Sequence, residues 1–167
     1  RDGGFRGAII KLGSKFATIK QLEKDIIEVG AGALDKMVSE FAKNNNIGNL
    51  EFLSCIPGSI GGAVCMNSGC YDSDISKILK SIIVLDKNGN EKEIKNDEIK
   101  FVYRDSNLSK DNIIISAVLQ GKVTPKDLIQ QKQNKLIEMK KNAQPSQIKT
   151  CGSTFKNPKN IKAWQLI

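Results

Sequence analysis

The spacing of apolar and polar positions changes period several times along the chain, and each change marks an element. Residues 7–12 (Gly-Ala-Ile-Ile-Lys-Leu) read as a buried strand and residues 16–20 as a second, antiparallel one, with Gly13-Ser14 as the break. Residues 25–30 form another strand, and the compact Ala31-Gly32-Ala33 after it is placed to run close to a ligand. Leu34, Met37, Val38, Phe41 and Ala42 then follow the i, i+3, i+4, i+7, i+8 spacing of an amphipathic helix with those residues facing the core. Three asparagines (44–46) and Gly48 end it. Ile75, Ile78 and Leu79 share a helical face, and residues 81–85 (Ser-Ile-Ile-Val-Leu) are a strong strand. Asn88-Gly89, within the polar run from Asp86 to Asn90, carries the signal of a tight hairpin, and residues 91–95 return. A helical turn at 96–99, a short run at 101–103 and a buried strand within 112–120 follow. Thr124, Pro125 and Asp127 start a last helix well. Its apolar face is Leu128, Ile129, Leu136, Ile137 and Met139. Its other side, with Lys132, Lys135, Lys140 and Lys141, reads as solvated. Gln144-Pro145 breaks it, and residues 163–167 look like the first turns of another helix. Several strands and at least three helices without strict β-α-β alternation predict the α+β class.

The stretch between the first helix and the strong strand fits neither period. Residues 56–71 read Ile-Pro-Gly-Ser-Ile-Gly-Gly-Ala-Val-Cys-Met-Asn-Ser-Gly-Cys-Tyr. Gly58, Gly61, Gly62 and Gly69 leave backbone without side-chain bulk, so a ligand can approach the main chain. Pro57 fixes the entry, and Ile60, Ala63, Val64 and Met66 suggest a short apolar helical turn behind the loop. Exposed N–H groups in such a loop favour phosphate or another electron-rich ligand. The alternative is a tight turn between buried elements. The spacing is neither a Rossmann fingerprint nor a Walker loop.

Composition narrows the choice. Hydrophobic residues make up 40% of the 167, enough for a core. No run approaches roughly 20 apolar residues, so no transmembrane helix is expected. The opening Arg-Asp-Gly-Gly-Phe-Arg is not a secretory leader and has no initiator Met, which suggests a processed or incomplete chain. A net charge of +8 favours anionic partners, whether nucleic acid, a diphosphate cofactor or a UDP-sugar, unless the lysines are simply solvated surface. Aromatics at 5% argue against a stacking platform for single strands. There is no histidine, which removes histidine-containing metal sites and Ser-His or Cys-His pairs, and no metal is expected. Cys55, Cys65, Cys70 and Cys151 form no Cys-x-x-Cys pair and fit a reducing compartment; Cys65 and Cys70 read as small buried apolar residues. Cys151 stands beside Gly152-Ser153, close to where a ligand is expected. Arg104 carries a planar donor fork suited to carboxylate or phosphate, although Asp105 beside it could make a structural ion pair. Ser153 is either a functional hydroxyl or a cap in a turn.

Three segments in order carry a resemblance. Residues 56–71 resemble the central flavin loop of the UDP-N-acetylenolpyruvoylglucosamine reductase (MurB) family. Tyr103-Arg104-Asp105-Ser106 and Gly152-Ser153-Thr154-Phe155-Lys156-Asn157-Pro158 match that family as well. The opening Asp2-Gly3-Gly4-Phe5-Arg6-Gly7 resembles the segment after the family's first FAD-binding region. The resemblance implies an FAD-binding domain of the MurB and vanillyl-alcohol-oxidase-like type over residues 1–145, and the beginning of a substrate-binding domain over 146–167. It implies that FAD is held by Ile56, Pro57, Gly58, Ser59, Gly61, Gly62, Ala63, Asn67, Gly69 and Tyr71. NADPH would reduce the flavin, which passes a hydride to the enolpyruvyl ether of UDP-N-acetylglucosamine, a step of peptidoglycan synthesis. Arg104 matches the arginine that steadies the enolate, and Ser153 the serine that protonates the other carbon. Tyr103, Lys156 and Asn157 would bind substrate.

The resemblance has departures. The family's first Gly-rich FAD segment would precede Arg1 and its catalytic glutamate would follow Ile167, so the segment alone is expected to be inactive. Asp72 stands where the family commonly has glycine, which bears on the loop's exit. The short interval from Arg104 to Ser153 resembles the subtype without an extra substrate-domain insertion. The intact parent is expected in the cytoplasm, with no nucleic-acid or membrane partner. Two rivals remain: another FAD oxidoreductase of the same fold, and a non-catalytic basic nucleotide- or RNA-binding module.

Overall fold

The computed structural model describes residues 3–143, 155–158, 161, 163 and 166. In chain order the elements are β1 (Ile19–Gln21), β2 (Ile26–Gly30), α1 (Asp35–Asn44), β3 (Ile47–Gly48), α2 (Ile60–Cys65), β4 (Gly69–Cys70) and β5 (Ser73–Asp74). They continue with β6 (Leu79–Leu85), β7 (Glu91–Lys95), β8 (Phe101–Val102), β9 (Asp105–Ser106), β10 (Ile113–Gln120), β11 (Lys122–Val123) and α3 (Lys126–Ala143). A 3-10 turn at Glu51–Cys55 leads into the glycine-rich loop.

Five strands make one antiparallel sheet in the order β1-β2-β10-β6-β7. Its register sets Ile19, Val29, Ala117, Ile82 and Ile94 side by side across all five strands. Val29, Ala117 and Ile82 are fully buried there, and Ile27 and Leu119 form the next buried row. Val38 of α1, Leu53 of the 3-10 turn and Ile60 and Val64 of α2 belong to the same core. Helices joined to an antiparallel sheet in this way are the α+β arrangement the sequence predicts.

Four expectations need correction. Residues 8–12 form no strand, and Ile9 and Ile10 are 82% and 71% exposed: an apolar run without a neighbouring edge gains nothing from extension. Residues 14–17 form a 3-10 turn, with the strand only at β1, because the Phe16 carbonyl accepts the Gly32 N–H at 2.8 Å and closes against Gly30, where any Cβ would collide with it. On α1 the buried stripe is Asp35, Val38, Ser39, Ala42 and Lys43, whereas Leu34 and Met37 face outward. The helix is rotated because Ser39 and Lys43 on its polar side have partners. Gln133 of α3 donates to the Ser39 hydroxyl at 2.8 Å and carbonyl at 3.2 Å, and Lys43 donates to Gln130 at 2.8 Å. The basic side of α3 is not wholly solvated either. Lys132 pairs with Glu51, itself only 4% exposed, at 3.1 Å, and Lys140 donates to the Cys55 carbonyl at 2.7 Å. The break at Gln144-Pro145, the boundary between 145 and 146, and most of 163–167 lie outside the described residues.

Candidate functional site: the glycine loop and its arginine

The loop from Ile56 to Tyr71 is held at its back by the segment that joins β2 to α1. Ile60 donates to the Ala33 carbonyl at 3.0 Å, Gly61 to Ala31 at 2.9 Å, and Asp35 to Gly58 at 3.1 Å. Leu34 and Ser59 form an isolated bridge. Ala31-Gly32-Ala33, expected beside a ligand, therefore serves directly as the wall on which the loop rests. That contact explains one glycine: a Cβ on Gly61 would stand 3.0 Å from the Ala31 Cβ, tighter than packing allows without a shift. Gly69 is explained likewise, since a Cβ there would collide with Ser73 across the β4–β5 turn. Gly62 is different. It is exposed, and its nearest neighbour to a Cβ is the Ser59 hydroxyl at 3.9 Å. Packing does not demand glycine there, so the bare backbone is available to a ligand. Among the described residues the N–H groups of Gly58, Ser59 and Gly62 meet no acceptor.

Two of the loop residues expected to hold cofactor are tied down by the chain. Asn67 sits at φ +40°, donates to the Val102 carbonyl at 3.4 Å and accepts the Ser76 N–H at 3.1 Å. Ile56 packs on the core and donates to Leu53 at 3.2 Å. Ala63 is buried behind the loop, Tyr71 packs half-buried on the core, and Pro57 is exposed at the rim. Cys70 is half-buried and its thiol is pushed up to about 11, chiefly by burial. Cys65 is exposed, against the expectation that it is buried, because it ends α2 on the open side of the loop.

Tyr103 and Arg104 form the turn of the β8–β9 hairpin, which leans on the loop's exit. Arg104 donates from Nη2 to the Gly69 carbonyl at 3.2 Å, and its guanidinium lies 5.1 Å from the Tyr103 ring centroid. The Ser106 hydroxyl pins the same hairpin to the Cys65 carbonyl at 3.0 Å. The alternative ion pair with Asp105 does not form: that carboxylate accepts the N–H of Ser106 at 2.9 Å, and the salt bridges among the described residues are elsewhere. The arginine thus brings a positive charge to a loop rich in free N–H donors, which together suit an anionic, diphosphate-bearing ligand. Lys156 and Asn157 are exposed and not brought to this loop by any described contact; Asn157 accepts the Ala163 N–H at 3.0 Å. Ser153 and Cys151 lie outside the described residues. Sequence reasoning missed Asp35. A carboxylate at the first position of a helix beside a glycine loop was the available signal for Asp35.

Residues 1–95 match the sequence profile of the FAD binding domain. The chain belongs to that family. The open glycine backbone and the nearby cation fit such a cofactor. This FAD-binding domain is 44% identical over 172 residues to the UDP-N-acetylenolpyruvoylglucosamine reductase of Pelagibacter ubique, covering 99% of this chain and 56% of the relative. The reductase of Rickettsia felis is 41% identical, with 100% and 56% covered. The crystal structure of the same-named enzyme (MurB) from Thermus caldophilus superimposes with a TM-score of 0.87 at 30% identity, over 98% of this chain and 59% of that one. The chain spans little more than half the length of the curated relatives it matches.

Proposed function

We propose that the full-length protein carrying this domain reduces the enolpyruvyl ether of UDP-N-acetylglucosamine to UDP-N-acetylmuramate, with NADPH as reductant, for peptidoglycan synthesis in the cytoplasm. The observation that carries the reading is Arg104, held at the exit of the cofactor loop by the Gly69 carbonyl and the Tyr103 ring. The bound flavin supplies the hydride chemistry. The chain's own residues supply position and charge. The bare backbone of the loop holds the cofactor, with the free N–H of exposed Gly62 as a donor. Arg104 offers its guanidinium to the negative charge that develops on the enolate beside the substrate carboxylate, an electrostatic contribution of the kind that is usually largest. Ser153 gives its proton to the remaining carbon, a transfer that an enolate is basic enough to accept when the hydroxyl is aligned. Tyr103, Lys156 and Asn157 position the UDP-sugar.

The test is single-turnover absorbance of the full-length protein. Arg104→Ala and Ser153→Ala should leave flavin bleaching by NADPH nearly unchanged. Each should slow reoxidation by the UDP-sugar by about 100-fold or more, the scale of losing one charge-stabilising donor. Reoxidation at the parent rate in both variants, or NADPH oxidation indifferent to the UDP-sugar, would overturn the reading.

A further inference from the structure

Beneath the Gly58 turn lies a carboxyl that the fold leaves without a partner. Asp35 is fully buried at the first position of the ten-residue α1. Among the described residues, neither of its oxygens accepts or donates a hydrogen bond. A Cβ on Gly58 would stand 3.2 Å from its Oδ2, so the carboxyl sits directly against the backbone of the turn, and the Asp35 N–H already holds the Gly58 carbonyl at 3.1 Å. Within the same few residues, the N–H groups of Gly58 and Ser59 meet no acceptor among the described residues. A buried acceptor without donors costs about 1–3 kcal/mol or more, so such mismatches persist only for a reason.

The geometry points to Asp35 as a positioning residue of the cofactor seat: when FAD fixes the loop, the carboxylate takes the hydrogen bonds of the Gly58–Ser59 turn and locks it. This rests on the FAD site described above. The free domain then holds the carboxyl in waiting, and burial pushes it up to about 7 from an ordinary 3.8. The charged and titratable groups on the elements packed together here are Lys36, Glu40 and Lys43 of α1, Glu51 and the Cys55 thiol of the 3-10 turn, and Lys126, Asp127, Lys132, Lys135, Glu138, Lys140 and Lys141 of α3. None of them shifts it; burial is the sole cause. Donors from the turn favour the ionised form and bring the carboxyl back down. Seating FAD therefore releases a proton, and affinity rises with pH until the free domain's Asp35 is itself ionised, near pH 7. With no histidine in the chain, little else here titrates in that window.

The experiment measures FAD affinity of the full-length protein by flavin fluorescence at pH 6, 7 and 8, for the parent and Asp35→Asn. The parent should bind about tenfold more tightly at pH 8 than at pH 6. The asparagine variant, similar in shape but unable to ionise, should lose that slope and bind about tenfold more weakly than the parent at pH 8. Equal slopes in the two proteins would overturn the role. Should the variant fail to fold, calorimetry of the parent decides. In two buffers of different ionisation enthalpy at pH 6, FAD binding should release most of one proton, and zero release would overturn the role. A parent that binds FAD with a flat pH profile sinks only this inference; a parent that binds no FAD at any pH sinks the cofactor site with it.

Discussion

Among the described residues, six other than glycine have left-handed backbone, and three of them line the site's exit: Tyr71 at φ +53°, Asp72 at +63° and Arg104 at +59°. The left-handed well costs an ordinary L-residue about 1–2 kcal/mol, somewhat less for aspartate. Strain of that kind is tolerated where it aims a side chain, and at Arg104 it turns the guanidinium back onto the Gly69 carbonyl. At Asp72 the side chain is exposed, and no comparable return is visible. Asp72→Gly should therefore raise stability by about 0.5–1 kcal/mol, read as a higher thermal midpoint with unchanged FAD affinity. A lower midpoint would show that the aspartate contributes something the backbone angle does not reveal. The residue types of this site were legible in the sequence because glycine, proline and arginine restrict what a backbone or a charge can do. The place of Asp35 at the start of a helix was legible, but its role was not. Its burial depends on Gly58 lying across it, a contact that no local pattern encodes.

At the scale of elements, period identified α1, α3 and the strands of the main sheet but misjudged which face of α1 is inside. Leu34 and Met37 are more apolar than Ser39 and Lys43, so a hydrophobic stripe drawn from the sequence selects the wrong pair. The decision belongs to α3, which lies far along the chain and supplies Gln130 and Gln133 as partners. A buried polar contact of this kind specifies one helix rotation, because every alternative leaves a group unpaired. Gln133→Leu keeps the size but removes the donor to both the Ser39 hydroxyl and carbonyl. It should cost about 1–3 kcal/mol in chemical denaturation, with a parent-like denaturant slope. A cost near zero would mean that the apolar side chain packs well enough to replace the pair. The same reasoning explains residues 7–12. Their composition suits a strand, but a strand also needs an edge, and an edge is a property of the rest of the molecule.

At the scale of the whole molecule, the fold class was readable because helices and strands do not alternate strictly. The strand order was not readable. β10, the last strand of the main sheet in sequence, lies at its centre between β2 and β6. Pairings this distant make slow folding, since the loop must close before the contacts form. Amides of β10 and β2 should accordingly be the last to exchange in deuterium, and those of β7 on the sheet's edge among the first. Comparable rates for both would argue that the sheet opens as one unit. The central position of β10 also has a consequence for synthesis on the ribosome. The cofactor loop leaves the ribosome early, but Val29 waits for Ala117 before the sheet behind that loop can close. At roughly 5–20 residues per second the delay is several seconds. For that interval a nascent chain carries every loop residue for its flavin and has no folded seat to offer it.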